Sequence, residues 1–243
     1  PLLINTAYLP PAGYMATIAD RSDVMLEVME TYRKQTCRNR CTIYGPNGRL
    51  HLTIPVEKPG GNHTQTRDIL ISRHESWQRT HWRTIQTAYN NSPFFLYYQD
   101  AFEPYYHRTY RFLIDFNLEL LQLLSGILKI QVKFGVTDSF RKMSGGPDDR
   151  REHITGFFCG QKRQIAPYTQ VFSPVHGFIP ELSVIDLLFN CGPETAGMWA
   201  EAPTPKPFAI ETDFYDFCVM NPSRPFLADP EIEEHTSELQ SPN

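Results

Sequence analysis

An apolar run, Leu2-Leu3-Ile4 with Ala7-Tyr8-Leu9, stops at Pro10-Pro11, and a second, Val24 to Met29, follows a short helix-compatible stretch, Ala12 to Ala19. Proline is well tolerated in a first helical turn, where its missing N–H has no partner to lose. Strand, turn, helix, strand opens a βαβ unit and constrains the chain to an α/β fold. The expected architecture has a Rossmann-like βαβ start, a mostly parallel sheet, a β-hairpin insertion and a helical segment. In open α/β sheets ligands bind at the carboxyl ends of the strands, which singles out Tyr8, Pro10 and Tyr14. Neither GxGxxG nor GxxxxGK[ST] follows the first strand, so the standard dinucleotide and P-loop modes gain no support.

A basic stretch comes next. Tyr32 to Arg40 holds Arg33, Lys34, Arg38 and Arg40, with the amides Gln35 and Asn39. If the segment is extended, Lys34, Arg38 and Arg40 share one face and form a clamp suited to a diphosphate or acyl phosphate. Asn39 faces the other way. The competing reading is an edge strand protected by its charges. Arg40 to Tyr44 and Leu50 to Val56 read as a hairpin around Gly45-Pro46-Asn47-Gly48, and Asp68 to Ser72 as a short strand.

Trp77 to Tyr89 has helical spacing, with Trp77, His81, Ile85 and Tyr89 on one face. Ala101 to Tyr106 reads as a short helix. Tyr110 to Leu128 carries an apolar stripe of Leu113, Phe116, Leu120, Leu121, Leu124 and Leu128, as a core helix does. Val132 to Val136 is strand-like. Leu182 to Asn190 is a helix stopped by Gly192-Pro193. From Glu201 on, Pro203, Pro205, Pro207, Pro222 and Pro225 remove periodicity. This divides the chain into an α/β domain, 1–200, and an expected poorly ordered tail, 201–243. The closing Glu233-Glu234-His235-Thr236-Ser237-Glu238-Leu239-Gln240-Ser241-Pro242 reads like translated sequencing adapter, expected to carry no function.

A net charge of -4 argues against a nucleic-acid partner. Aromatics at 13% suit either a sugar pocket or a core. Five scattered cysteines without CxxC make a disulfide framework an unfavoured reading and a reducing compartment the favoured one. No apolar run approaches membrane-spanning length, and no signal peptide is visible. His51, His63, His74 and His81 lack metal-ligand spacing, so no metal is expected.

His81 is the acid/base candidate, since a histidine on an aromatic helix face can titrate near neutrality. A Cys41 or Cys159 nucleophile beside it is a lesser one. Asp186, on an otherwise apolar helix, is either a surface residue or a buried partner of His81 or Arg38. Tyr8 and Tyr14 are candidates to stack on a ring, and Gln170, in phase with Tyr168, to add polar contacts.

Several stretches occur in order: Tyr8-Leu9-Pro10-Pro11-Ala12-Gly13-Tyr14; Lys34-Gln35 with Arg38-Asn39-Arg40-Cys41; Trp77-Gln78-Arg79-Thr80-His81-Trp82; Tyr89-Asn90-Asn91-Ser92-Pro93-Phe94-Phe95; Tyr168-Thr169-Gln170-Val171-Phe172; and Gly177 to Pro193. Together they resemble the WbqC-like protein family over residues 2 to 199. The resemblance implies a bacterial, cytoplasmic protein of O-antigen or surface-polysaccharide biosynthesis, transferring glycine, another aminoacyl group or an acyl group onto an amino sugar. It carries no catalytic residue set and leaves the cofactor unknown. The implied partners are a nucleotide sugar or an activated acyl donor. The alternative is a non-catalytic protein that binds a nucleotide sugar or glycan. A nucleotidyl-transfer enzyme is a third reading, weakened by the missing phosphate-cradling loop.

Overall fold

The computed structural model describes residues 1–73, 76–140, 142, 148–151 and 165–200. The expected tail, 201–243, lies outside the described residues. The first strand, β1 (Leu2–Asn5), leads through α1 (Ala12–Ala19) to β2 (Asp23–Glu27). The two strands pair in parallel, with Asn5 opposite Glu27 at their carboxyl ends. β7 (Lys133–Val136) adds a third parallel strand beside β2. On the far side of β1, Leu3 bridges to Asp149 through two backbone hydrogen bonds of 2.7 and 2.8 Å. The sheet is thus parallel and three-stranded among the described residues.

Two small antiparallel pairs complete the mixed α/β fold. β3 (Arg40–Gly45) and β4 (Gly48–Thr53) form the expected hairpin, and β5 (Val56–Glu57) pairs with β6 (Leu70–Ile71). Pro46-Asn47 turns the hairpin, and Gly48, which opens β4 opposite Gly45, sits at φ 96°, which glycine accepts at no steric cost.

The helices carry most of the core. α2 (Trp77–Tyr89) and α4 (Leu113–Ile127) present the faces that their spacing predicts. Leu113, Phe116, Leu120, Leu121 and Leu124 are all buried. α3 (Phe95–His107) is longer than the sequence suggests and runs through Pro104. Most of the aromatics on the described helices pack in the core. Phe116 meets Trp77, Tyr106 and Tyr110 edge-on, and Phe189 meets Tyr89, Phe95 and Phe102 at 5.2–5.6 Å between centroids. Such pairs are worth about 0.5–1.5 kcal/mol each beyond their buried area.

The segment beyond residue 164 closes back on the beginning of the chain. After the single turn α5 (Ser173–His176), the chain enters α6 (Val184–Cys191) and α7 (Thr195–Ala200). Ser183 caps α6 and donates from its backbone to the Thr42 carbonyl (2.8 Å) and from its hydroxyl to the Leu9 carbonyl (2.8 Å). Val184 N–H donates to the Pro10 carbonyl. These bonds hold the turn after β1, where Leu9 sits in the left-handed region at φ 39°. A non-glycine residue persists there only when its surroundings over-determine it.

α6 ends at Gly192, whose φ of 57° is left-handed and whose hydrogen faces the Phe94 ring. A methyl group placed there would approach the ring to 2.5–2.6 Å. Gly192→Ala therefore combines backbone strain with overpacking, and is expected to cost about 2–4 kcal/mol in urea unfolding. A loss under 1 kcal/mol would show that the Phe94 ring moves freely.

Candidate functional site

The carboxyl ends of β1 and β2 each carry a buried polar residue after an apolar stretch. Asn5 ends β1, Glu27 ends β2, and Glu30 follows three residues later. Glu27 is wholly buried and accepts from the Arg151 guanidinium (2.8 Å), the Thr137 hydroxyl (2.8 Å) and the Met29 N–H (2.8 Å). Arg151 in turn grips Asp149. A buried carboxylate survives only with such saturation.

Glu30 is the more open of the two acids. Its Oε1 accepts three bonds: Asn5 Nδ2 at 2.6 Å, Arg38 Nε at 2.8 Å and an Arg38 terminal nitrogen at 2.5 Å. Arg38 gives its other terminal nitrogen to the Thr36 hydroxyl. Its side chain is 2% exposed and that of Glu30 12%. Asn117, on α4, donates to the Arg38 carbonyl at 2.7 Å and to the Thr6 hydroxyl at 3.2 Å. Among the described residues, Asn5 Oδ1, Asn117 Oδ1 and the Tyr32 hydroxyl are buried without a hydrogen-bond partner, as are Asn39 Oδ1, Thr66 Oγ1 and Trp82 Nε1. Each costs on the order of 1–3 kcal/mol when unsatisfied, and such atoms in a native protein call for a functional account.

The clamp of Lys34, Arg38 and Arg40 is not formed. Residues 34–39 are turns rather than strand, with Gln35 at φ 59°, and β3 begins only at Arg40. Strand parity therefore does not apply. Lys34 lies outside, Arg38 is buried against Glu30, and Arg40 is half-buried. Asn39 is buried and pins the turn through Nδ2 to the Ile54 carbonyl at 2.9 Å.

His81 and Tyr8 meet, though in the core rather than in a cleft. The Tyr8 hydroxyl lies 2.9 Å from His81 Nδ1 and 3.0 Å from the Tyr106 hydroxyl, and all three residues are buried. Burial lowers the His81 pKa to about 4, against the opposing effect of a bond to the Thr53 backbone. A backbone bond that favours the charged ring is one to a carbonyl. The N–H therefore lies on that side, and Nδ1 accepts from Tyr8. Burial raises the Tyr8 hydroxyl well above its ordinary value, and raises the neighbouring Cys41 thiol too. Cys41 is a free, buried thiol without thiolate character, and Cys159 lies outside the described residues. Tyr14 is buried as well, its hydroxyl donating to the Asn5 carbonyl at 2.8 Å.

Asp186 takes neither expected partner. It is wholly buried and accepts from the Tyr89 hydroxyl (2.9 Å), the Tyr168 hydroxyl (2.5 Å) and Gln170 Nε2 (2.9 Å). Burial raises its pKa, and these three bonds oppose the rise. Gln170 also brackets the Ile179 backbone, donating to its carbonyl and accepting from its N–H. The group fastens the 168–179 segment onto α6. Cys37, buried, is disulfide-bonded, which departs from the expectation of unpaired thiols.

Sequence reasoning missed Asn5, Glu27, Glu30 and Asn117 as a group. The signal was available for the first two: a polar residue closing the apolar stretches Leu2–Ile4 and Val24–Leu26 at the carboxyl end of each strand. Among the described residues no group of three or more His, Cys, Asp or Glu could hold a metal ion, and no helix is long and apolar enough to cross a membrane.

The histidine geometry has a pH consequence. His81 is neutral in the fold down to about pH 4, whereas an unfolded histidine titrates near 6.5. Below 6.5 the unfolded chain binds the extra proton, so stability present at neutral pH is lost as pH falls through 6.5 towards 4. Between pH 7 and 5 the loss from this residue is about 2 kcal/mol. Urea unfolding of wild type and His81→Gln at both values should show the wild type losing that much more than the variant. Equal losses would mean that His81 is not buried neutral.

The WbqC-like protein family model matches residues 6–156. An uncharacterized protein of Mycobacterium tuberculosis, Rv1507c, is 24% identical over 218 residues, covering 79% of this chain and 94% of the relative. No solved structure matches. The matched span takes in the end of β2, the Arg38 turn and the His81 helix, and on it the chain belongs to the WbqC-like protein family.

Proposed function

We propose that this chain is a sugar-modifying enzyme of O-antigen or surface-polysaccharide biosynthesis, a glycine, aminoacyl or acyl transferase acting on an amino sugar in the cytoplasm. Family membership supports the process. The observation that carries the location of the chemistry is the polar hub of Asn5, Glu30, Arg38 and Asn117, with unsatisfied buried atoms at the carboxyl end of a parallel sheet. That end of an α/β sheet is where ligands bind, and β1–α1–β2 would serve as a Rossmann-like platform for a nucleotide sugar or an activated acyl donor. The basic turn then contributes through Arg38, which aligns Glu30, rather than through a phosphate clamp. His81, Tyr8, Tyr14, Asp186 and Gln170 support the site from within the core. The domain comprises residues 1–200, with 201–243 as a tail.

A specific observation favours a second reading. His81 and Asp186, the residues best suited by type to acid/base work, are both buried and engaged in hydrogen bonds. A non-catalytic nucleotide-sugar or glycan-binding protein needs neither of them free.

Incubating the purified full chain with glycine, ATP and a panel of amino-sugar nucleotides tests both. A sugar product gaining the mass of a glycyl or acyl group is expected. Tight sugar binding without any product would select the binding protein, and neither binding nor product would remove both readings.

A further inference from the structure

Two arginines line one hollow beside the β5–β6 pair. Glu57, Leu70, Ile71, Arg73 and Arg111 enclose a cavity of about 450 Å³, a size suited to a small ligand. The pairing of β5 with β6 sets Glu57 opposite Leu70. On the other side of β6, Ile71 N–H donates to the Arg111 carbonyl and Leu113 N–H to the Ile69 carbonyl, both at 3.0 Å, with Leu70 bridged to Phe112. Immediately before Arg73, Ser72 N–H donates to the Pro55 carbonyl at 2.9 Å. The backbones that carry all three charged residues are therefore tied to one another. The segment entering β6 is in turn bonded to the chain just past β2. Thr66 N–H donates to the Glu30 carbonyl and Arg67 N–H to the Val28 carbonyl, both at 2.9 Å. The frame of the cavity is thus anchored at the carboxyl end of a parallel strand, the end at which α/β sheets bind ligands.

Glu57, Arg73 and Arg111 are exposed, so their charges are within reach of solvent. None of the three forms an ion pair among the described residues. Arg111 is steadied by its neighbour instead, its guanidinium carbon 5.1 Å from the centre of the Phe112 ring. One guanidinium fork already fills the two oxygens of a carboxylate, whereas a phosphate has oxygens enough for two forks. A glutamate in the same hollow disfavours a bare anion, but it accepts from a hydroxyl. Half-buried Leu70 and buried Ile71 give the apolar surface that the carbon face of a sugar ring needs. We infer that this cavity binds the phosphate ester of a sugar, with Arg73 and Arg111 on the phosphate and Glu57 on a ring hydroxyl. This rests on the sugar-modifying reading above, and it supplies the phosphate grip that Lys34, Arg38 and Arg40 do not form.

Titration calorimetry of the full chain with glucose, inorganic phosphate, glucose 1-phosphate and UDP-glucose, near neutral pH and at low salt, tests this. At least one of the two phosphorylated sugars is expected to bind about tenfold more tightly than glucose or inorganic phosphate. Glucose 1-phosphate as the tighter marks a sugar phosphate as the source, and UDP-glucose a nucleotide sugar. Arg73→Gln and Arg111→Gln alter exposed residues and should each weaken that binding about fivefold or more. Arg21→Gln, whose arginine pairs with Asp148, should leave it unchanged. Glu57→Ala should bind inorganic phosphate at least as well as the wild type while its preference for the sugar ester shrinks. Failure of both phosphorylated sugars to outbind glucose, or an equal loss in Arg21→Gln, overturns the site, and a full preference in Glu57→Ala overturns the hydroxyl contact. The sugar-modifying reading fails separately. A glycyl or acyl product that forms undiminished in Arg73→Gln and Arg111→Gln removes the site and keeps that reading, while arginine-dependent binding with no product from any donor does the reverse.

Discussion

The guanidinium of Arg38 cannot shed its charge by losing a proton, so its burial obliges the chain to bring a carboxylate to it. Glu30 answers that demand, and the pairing draws the turn of residues 34–39 in over the ends of β1 and β2. Asn5 completes the Glu30 side, and Asn117 takes the Arg38 carbonyl from below. Replacing one member of such a pair leaves the other as an uncompensated buried charge, a penalty of about 3–5 kcal/mol. The basic residue most readily taken for a surface contact is thus the one on which the architecture of the strand ends depends.

Two other groups of buried polar residues form knots of different kinds. Tyr106, Tyr8 and His81 form a chain of neutral groups, in which burial opposes charge on each member. Tyr89, Tyr168 and Gln170 surround Asp186 with three donors. The first knot joins α2 and α3 to the turn after β1. The second joins α2 and the 168–179 segment to α6. Both spend hydrogen-bonding capacity on positioning.

The helices were legible where periodicity was strong. α2 starts and stops at the residues that its spacing indicates, and α4 follows its leucine stripe. α3 was only partly legible, because Pro104 falls inside it and its first turn is a run of aromatics that reads equally well as a loop patch. The basic turn misled for a local reason. Gln35 adopts a left-handed φ without a glycine to announce it, and the reading of Lys34, Arg38 and Arg40 as one face depended on an extended backbone. Asp186 was legible only as either a surface residue or a buried partner of His81 or Arg38. Its partners lie 16, 18 and 97 residues away in sequence, and tertiary pairing over such distances leaves no spacing signal.

Ser183 and Val184 bond to Leu9, Pro10 and Thr42. The turn after the first strand is therefore braced by residues made 174 positions later. On a ribosome, the opening βαβ unit would emerge with the Leu9 and Pro10 carbonyls short of their α6 partners until α6 had cleared the exit tunnel. Contacts of such sequence separation are slow to close, and chains that wait for them expose apolar surface in the interval. Translation speed and chaperone access thereby become part of what this protein's first forty residues require of the cell.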